Sequence, residues 1–243
     1  LVENDRIIGG MTSRCAHRAS ALYKSFVRGV CHISTDRTAE MVKLTENAFR
    51  DLNIAFANEL SMICGDLDVD VWKVIEFANR HPRVNILMPG AGVGGHCIAV
   101  DPWFVVASAP ERSRLIRVAR EVNDTKPKFV IDQVDRAVKQ RPEARIVCLG
   151  LTYKPDVDDF RESPSLEIAT ALSAAYPGRV WCVDPFESAL SSMEKKQRNL
   201  SFVGVDDALN QADVLVVLVG HAAFRAFPEP EGVAIVDPVG FWR

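Results

Sequence analysis

The sequence predicts an α/β protein in which a helical central domain is followed by a second domain built on a parallel sheet. Residues 39–67 carry apolar side chains at spacings of three and four, which is typical of an amphipathic helix. Residues 145–236 alternate short apolar runs with helical stretches, the pattern of a Rossmann-like parallel sheet. The 243 residues, 48% of them hydrophobic, are enough for two modest cores and part of a third domain.

The N-terminal segment, residues 1–37, has the pattern of a strand, a helix and a strand. These are predicted at residues 6–8, 13–27 and 30–33. We interpret the segment as the tail of a parallel α/β domain whose other strands are missing. Gly9 and Gly10 do not form the G-x-G-x-x-G pattern of a dinucleotide-binding loop, so no phosphate loop is predicted here.

The central domain, residues 38–123, is predicted to be helical, with helices at residues 39–67, 69–79 and 111–123. Thr38 is the expected N-cap of the first helix. Lys43 and Asn47 are four residues apart, so both project from one face of that helix, where a solvated polar stripe is the commoner explanation. Helices this apolar can also bury a face against a second copy of the chain, so we expect a homodimer.

The last domain, residues 124–243, is predicted to alternate helices and strands. The helices are expected at residues 128–140 and 165–175, and the strands at residues 145–149, 179–183, 213–219 and 233–236. Ligands of parallel sheets bind beyond the carboxyl ends of the strands. Glycine, proline and polar residues follow these strands at residues 150–155, 184–185, 220–221 and 237–238.

Composition excludes several classes of function. The formal charge is −3 with both signs interspersed, so no nucleic-acid partner is expected. The six cysteines form no C-x-x-C pair, which argues against zinc ribbons and predicts reduced thiols in the cytoplasm. No apolar run approaches the roughly 18 residues of a membrane span, and no signal peptide is recognised, so no membrane partner is expected. The start at Leu1 instead of Met predicts a truncated or processed product.

Residues 92–103, GVGGHCIAVDPW, set Cys97 beyond a glycine-rich turn and place Asp101 four residues later. Glycines let backbone N–H groups approach an intermediate attached to a cysteine, and a nearby carboxylate can steer a proton or a water. A free cysteine is more often a small buried apolar residue, but the glycines and Asp101 favour a reactive thiol. His96 would point away from Cys97 in an extended segment, which argues against a pair of these neighbours.

Three blocks together resemble the UDP-glucose/GDP-mannose dehydrogenase family. They are Lys43-x-x-x-Asn47 on a helix, the segment around Cys97, and GLTYKPDVDDFRESP at residues 150–164. The resemblance covers essentially the whole chain. It implies an N-terminal NAD-binding domain, of which residues 1–37 would be only the closing part. The chain is therefore expected to bind substrate and to dimerise but to be inactive as a dehydrogenase alone.

The resemblance implies oxidation of the C6 alcohol of a UDP-sugar to the acid, with two NAD molecules accepting hydride. Residues 55–60, 81–85 and 96–103 look most like members that convert UDP-N-acetyl-D-mannosamine to UDP-N-acetyl-D-mannosaminuronate. Val100 stands where relatives specific for UDP-glucose often have lysine, which favours a different sugar. Val239 stands where relatives place a basic residue after Asp237, and Arg243 is the substitute that we consider.

The resemblance also implies roles for the central residues. Cys97 would attack an aldehyde to give a thiohemiacetal, which becomes a thioester that water hydrolyses. Lys43 would favour the thiolate and stabilise oxyanions, and Asn47 would donate hydrogen bonds to the developing charge or to a water. Asp101 would assist proton transfer and thioester hydrolysis.

Further positions are implied for binding. Lys154 matches a lysine that reaches the substrate phosphates, and Arg161 matches an arginine that approaches NAD. Contacts to the substrate are also implied for two residues before the cysteine loop and two within it: His81, Arg83, Gly94 and Gly95. No metal is expected, because residues 156–159 fit a solvated acidic turn and the reaction needs no metal. Residues 162–164 are interpreted as the cap of the following helix.

Three alternatives stay open. The chain could be a non-catalytic module that binds nucleotide sugars and dimerises, or a dehydrogenase for another UDP-sugar. It could also be a cysteine hydrolase or acyltransferase, which would need a base for Cys97 from among only five histidines.

Overall fold

A computed structural model describes residues 2–243. The helices of this part of the chain are α1 Ser13–Tyr23, α2 Asp36–Asp66, α3 Val71–Ala78, α4 Asp101–Ser108, α5 Arg114–Lys139, α6 Pro164–Ala175, α7 Ser192–Gln197 and α8 Val205–Gln211. The strands are β1 Arg6–Gly10, β2 Cys31–Thr35, β3 Ile146–Leu149, β4 Val180–Val183, β5 Val214–Val217 and β6 Ala234–Val236. Short 3₁₀ turns lie at Glu187–Ala189 and Ala222–Ala226.

The N-terminal segment forms a small parallel unit, as predicted. Strands β1 and β2 pair in parallel, with Arg6 opposite Cys31, and α1 connects them. Helix α1 ends at Tyr23, four residues earlier than predicted. Ile8, Val27 and Cys31 form the small core of this unit.

Helix α2 begins earlier than predicted, and Thr38 is not its N-cap. Thr35, the last residue of β2, is the cap, and its hydroxyl accepts the Thr38 N–H at 3.2 Å. The backbone of Thr35 is still extended, so strand passes directly into helix. Asp36 lies in the first turn, where a negative charge is favourable.

A single helix, α5, replaces the two helices predicted at residues 111–123 and 128–140, and Pro127 lies inside it. The predicted break was therefore wrong. An internal proline removes one hydrogen bond and crowds the preceding turn. Buried side chains on both sides of Pro127 stabilise the continuous helix, among them Asn123 and Val130. The expected domain boundary at 123/124 lies inside α5, which runs from the helical unit onto the sheet.

The C-terminal sheet is parallel, as predicted, with the strand order β4-β3-β5-β6. Alternate residues of β3 face opposite cores, since Ile146 packs with α5 and α6 whereas Val147 packs with α8. The chain passes from β3 to β4 on one side and returns to β5 on the other. The crevice beyond the carboxyl ends of β3 and β5 is thus a topological switch point, the usual ligand site of such sheets.

Three short helices were not predicted: α4, α7 and α8. Helix α4 bears on the candidate site, because it begins at Asp101 and has Pro102 in its first turn.

None of the helices within residues 2–243 combines the length and apolar character that crossing a membrane requires.

Candidate active site

Lys43, Asn47 and Asp101 form one hydrogen-bonded row between α2 and α4. The Lys43 ammonium donates to Asn47 Oδ1 at 3.3 Å, and Asn47 Nδ2 donates to Asp101 Oδ2 at 2.5 Å. The prediction that Lys43 and Asn47 share a face is confirmed. Asn47 is buried, so the pair is not a solvated stripe, although Lys43 itself is largely exposed. One N–H of the Asn47 amide, expected to serve the reacting oxygen, is engaged by Asp101.

Cys97 joins this row through the backbone. Its carbonyl accepts the Asp101 N–H at 2.8 Å, so the cysteine turn leads directly into the first turn of α4. Cys97 is exposed and free, which a nucleophile requires. By contrast, Cys148 and Cys182 are buried opposite each other on β3 and β4, and burial raises the pKa of the Cys182 thiol to about 12. Of these three, Cys97 is the thiol that substrate can reach.

The glycine-rich segment before Cys97 packs tightly against the loop after β3. A Cβ added to Gly94 would lie 2.4 Å from the Glu162 carbonyl oxygen and 2.7 Å from Pro164 Cδ. Gly95 has φ +83°, and a Cβ there would lie 3.1 Å from the Tyr153 ring. Both positions therefore require glycine. This close contact, which we call the seam, joins the loop that carries Cys97 to the loop that carries Lys154.

A cavity of about 350 Å³ lies at the switch point of the sheet. Segments after β3, β5 and β6 line it, and Gly90–Gly92 close it from the side of the cysteine loop. Its charged lining side chains are cationic: Lys154, Arg225 and Arg243. Phe241 adds an aromatic ring. A concave site with several cations and one ring suits a ligand that carries both phosphates and a base.

The loop that carries Lys154 is fixed by buried groups beneath it. Asp184 Oδ2 accepts the N–H groups of Leu151 and Thr152 at 2.6 and 3.2 Å. His221, fully buried, contacts both Asp184 and Thr152. Burial by itself would raise the pKa of Asp184, but the hydrogen bonds from His221 and from backbone N–H groups outweigh it. The pKa of Asp184 therefore lies below its ordinary value, and the carboxylate is ionised at neutral pH.

Arg161 lies on the same loop and pairs with Asp159. Its Nε and Nη2 donate to the carboxylate at 2.9 and 2.7 Å, and its side chain is 70% exposed. These hydrogen bonds, together with one from the backbone N–H of Arg161, lower the pKa of Asp159 to about 2. The acidic turn is thus more ordered than predicted, because Asp156 also accepts the Ala222 N–H at 2.9 Å.

The expected cap at residues 162–164 is confirmed. The Ser163 hydroxyl accepts the Leu166 N–H at 3.2 Å, and Pro164 occupies the first turn of α6. The Ser163 hydroxyl also donates to the Leu151 carbonyl at 2.7 Å, which ties the two ends of the loop together.

His81 and Arg83 lie in an exposed turn after α3. The Arg83 N–H donates to His81 Nδ1 at 3.3 Å. Neither residue lines the cavity that contains Lys154. Their expected contact with a sugar stays a prediction.

Arg225 and Phe241 were not predicted as site residues. Arg225 is in the 3₁₀ turn after β5, and Phe241 follows β6, so both come from loops at the predicted edge of the sheet. Their position beyond strand ends is the one signal that could have marked them. Within residues 2–243 no group of three or more histidine, cysteine or acidic side chains is arranged to hold a metal ion.

Two family models match this chain. The central domain of the UDP-glucose/GDP-mannose dehydrogenase family matches residues 37–125, and its UDP binding domain matches residues 147–239, together more than half of the chain. A UDP-N-acetyl-D-mannosamine dehydrogenase from Campylobacter jejuni is 55% identical over 92% of this chain. An NDP-N-acetyl-D-galactosaminuronic acid dehydrogenase from Ralstonia solanacearum is 54% identical over 100% of it.

The fold of this chain is also found among solved structures. A UDP-D-ManNAc dehydrogenase from Pyrococcus horikoshii superposes with a TM-score of 0.84 and 33% identity, over 99% of this chain and 61% of that one. The chain spans 55% and 57% of the length of the Campylobacter and Ralstonia relatives. Both matched models describe consecutive domains of one family, in the order in which the helical unit and the sheet occur here. The chain therefore belongs to the UDP-glucose/GDP-mannose dehydrogenase family.

Proposed function

We propose that this chain forms the catalytic helical and UDP-binding parts of an NAD-dependent UDP-sugar 6-dehydrogenase, with UDP-N-acetyl-D-mannosamine as its substrate. The observation that carries the proposal is the seam between two sites. An exposed thiol with a Lys-Asn-Asp row lies on one side, and a cationic cavity at the switch point lies on the other. The named relatives support the same reaction.

We infer a covalent path at Cys97. The thiolate adds to the C6 aldehyde carbon, and the carbonyl oxygen becomes the oxyanion of a thiohemiacetal. Lys43 supplies the positive charge that stabilises this oxyanion, and Asn47 holds Lys43 and Asp101 in a fixed relation. After oxidation to the thioester, Asp101 accepts a proton from the attacking water, and the acid leaves as the Cys97 thiol is restored.

The cofactor of this reaction is NAD, which takes up the hydride in both oxidation steps when it is bound. Among the residues of this chain, Arg161 fits it. An exposed guanidinium whose Nε and Nη2 are fixed by Asp159 is a suitable donor for a phosphate oxygen. We infer that residues 1–37 belong to the NAD-binding domain and that the complete enzyme requires that domain.

The cavity at the sheet edge would hold the UDP moiety. Lys154 would bind the diphosphate, with Arg225 and Arg243 adding positive charge. Arg243 also lies 3.7 Å from Asp70, which helps to fix its direction. It could thus substitute for the basic residue that is absent at Val239.

We further propose that two copies pair through the helical unit in a reducing cytoplasm. Large apolar side chains remain exposed along α2 at a spacing of seven, Phe49 by 68%, Phe56 by 53% and Ile63 by 49%. A stripe of this kind is typical of a helix that packs against a partner. All six cysteines are free, which agrees with a reducing compartment.

Calorimetric titration of the chain tests the nucleotide site directly. We expect saturable binding of UDP and of UDP-N-acetyl-D-mannosamine, and a loss of at least about tenfold in affinity for Lys154→Met, because a charge-assisted contact to phosphate is removed. Lys139→Met, at the far end of α5, is the matched control and should bind as the parent chain does. Equal affinity in the Lys154 and Lys139 variants would contradict the assignment.

The identity of the sugar is tested in the same titration. UDP-N-acetyl-D-mannosamine should bind more tightly than UDP-N-acetyl-D-galactosamine and UDP-glucose. The galactosamine sugar is the second candidate, because one relative of 54% identity is named an NDP-N-acetyl-D-galactosaminuronic acid dehydrogenase. In the enzyme with its NAD-binding domain, Cys97→Ala should abolish formation of the acid. Normal turnover by that variant would exclude the covalent path.

A further inference from the structure

We propose that His221 is a positioning residue that holds the loop bearing Lys154 in the shape that binds a diphosphate. The inference rests on the proposed function of Lys154 and goes beyond it. It assigns a role to a buried imidazole that neither the reaction nor the cavity uses directly. His221 is completely buried, and it is not among the residues that line the cavity.

Both nitrogens of the His221 ring are engaged by the loop or by its support. Nδ1 accepts the backbone N–H of Asp156 at 3.0 Å, so the proton of the neutral ring resides on Nε2. Nε2 lies 3.2 Å from Thr152 Oγ1 and 3.4 Å from Asp184 Oδ2. One side chain thus fixes the loop two residues before Lys154 and two residues after it.

The backbone between these anchors is unusual and needs such support. Asp156 has φ +59°, in the left-handed region that non-glycine residues seldom adopt. Its side chain accepts the Ala222 N–H at 2.9 Å, and its own N–H is held by the imidazole. The Thr152 hydroxyl, which contacts Nε2, donates to the Lys154 carbonyl at 3.0 Å. Hydrogen bonds that lead back to the His221 ring therefore hold the backbone on both sides of Lys154.

The His221 ring connects two loops of the sheet. It follows β5, whereas the loop it holds follows β3, and these strands are neighbours at the switch point. Phe186 and Phe224 flank the imidazole, with ring centroids 5.5 and 5.4 Å away. A buried ring in contact with two aromatic side chains has little freedom to turn, so its hydrogen bonds have a fixed direction.

Amide hydrogen exchange and UDP titration of the same variants test the inference. His221→Leu has a side chain of similar size but lacks the hydrogen bonds of both ring nitrogens, so the Asp156 amide should lose protection and UDP affinity should fall at least tenfold. His221→Asn can place its amide oxygen near the position of Nδ1, and it should restore much of the protection and affinity. His17→Leu, at an exposed position of α1, is the control, because it removes an imidazole that has no contact with the loop.

Two results would overturn the inference. One is an Asp156 amide that stays protected in His221→Leu, and the other is a lost protection that leaves UDP affinity unchanged. If the leucine variant does not fold, as judged by exchange of the β3 amides, comparison of His221→Asn with His221→Gln replaces it, because glutamine does not place an acceptor at the Nδ1 position. If the parent chain binds no UDP, the proposed function fails, while the exchange data still decide whether His221 holds the loop.

Discussion

Asn47 shows how one amide can connect two groups of opposite charge. Its oxygen accepts from the Lys43 ammonium and its nitrogen donates to Asp101, so the orientation of the amide is determined by a cation on one side and a carboxylate on the other. Neither bond can form if the amide is reversed. The residue thus links a cation on α2 to a carboxylate at the start of α4.

Asn47→Asp tests this arrangement. A second carboxylate beside Asp101 would force the two groups to share a proton and would raise the pKa of the pair. In the enzyme with its NAD-binding domain, turnover at pH 7 should fall about tenfold or more and recover in part as the pH falls. The measurement is the pH profile of kcat. Asn53→Asp, on the same helix, adds the same charge outside the row and should leave the profile unchanged.

Lys126 is a buried cation without a carboxylate partner among its hydrogen bonds. Its ammonium donates to Ser61 Oγ at 2.6 Å and lies 4.9 Å from the centre of the Phe129 ring. Burial lowers the pKa of Lys126 to about 8. The unfolded chain holds this proton up to a pKa of about 10.4, so stability rises with pH between these two values.

Lys126→Met should therefore stabilise the fold at pH 7 by about 1–2 kcal/mol, after the lost hydrogen bond to Ser61 is subtracted. At pH 10 the gain should vanish or change sign, because the folded lysine is then neutral and protonation of the unfolded chain favours unfolding by less than about 1 kcal/mol, no more than the lost hydrogen bond. Urea unfolding at pH 7 and pH 10 gives both values. Lys128→Met, an exposed position on the same helix, should show no such dependence. A methionine variant less stable than the parent at pH 7 would refute this account.

At the scale of elements, α2 and α5 are joined by a buried polar network. Arg120 Nη1 donates to Asp51 Oδ1 at 2.6 Å, and Asn123 Nδ2 donates to the same oxygen at 2.8 Å. Asn58 continues the chain of contacts, donating to Asn123 and accepting the Gly90 N–H, each at 2.9 Å. The network thus extends from the helix interface to the start of the cysteine loop. Burial raises the pKa of Asp51, and the charge of Arg120 offsets this only in part.

Arg120→Ala should destabilise the chain by about 3–5 kcal/mol, because it leaves Asp51 buried without its cation. The exposed pair of Arg80 and Glu76, at 2.7 Å, provides the comparison. Arg80→Ala should cost no more than about 1 kcal/mol, since solvent screens that pair. Chemical unfolding of both variants measures the difference. Similar losses of unfolding free energy in the two variants would show that burial does not strengthen the pair of Arg120 and Asp51.

The sequence was most informative where periodicity or a long motif governs structure. The parallel sheet and the shared face of Lys43 and Asn47 were predicted, because strand alternation and helical spacing are local properties. The continuity of α5 through Pro127 was not, because tertiary burial on both flanks outweighs the local cost of proline. The position of His221 beneath the Lys154 loop could not be predicted either, since it depends on the order of β3 and β5 in the sheet.

At the scale of the whole molecule, the proposed dimer makes a prediction about the α2 stripe. Replacing both Phe49 and Phe56 by Glu should convert the chain from dimer to monomer in sedimentation velocity experiments, because charges at a buried apolar interface are unfavourable. Leu22→Glu, at a 66% exposed position of α1, should leave the dimer intact. A parent chain that sediments as a monomer at all concentrations tested would disprove pairing through these helices.

The close packing of Gly94 and Gly95 on Tyr153, Glu162 and Pro164 has a consequence for selectivity. With the roles proposed above, the nucleophile and the phosphate-binding lysine are mounted on two loops that cannot slide past each other. The distance between the nucleophile and the lysine is then fixed before the substrate binds. A substrate that engages both groups must therefore match a distance that this packing sets.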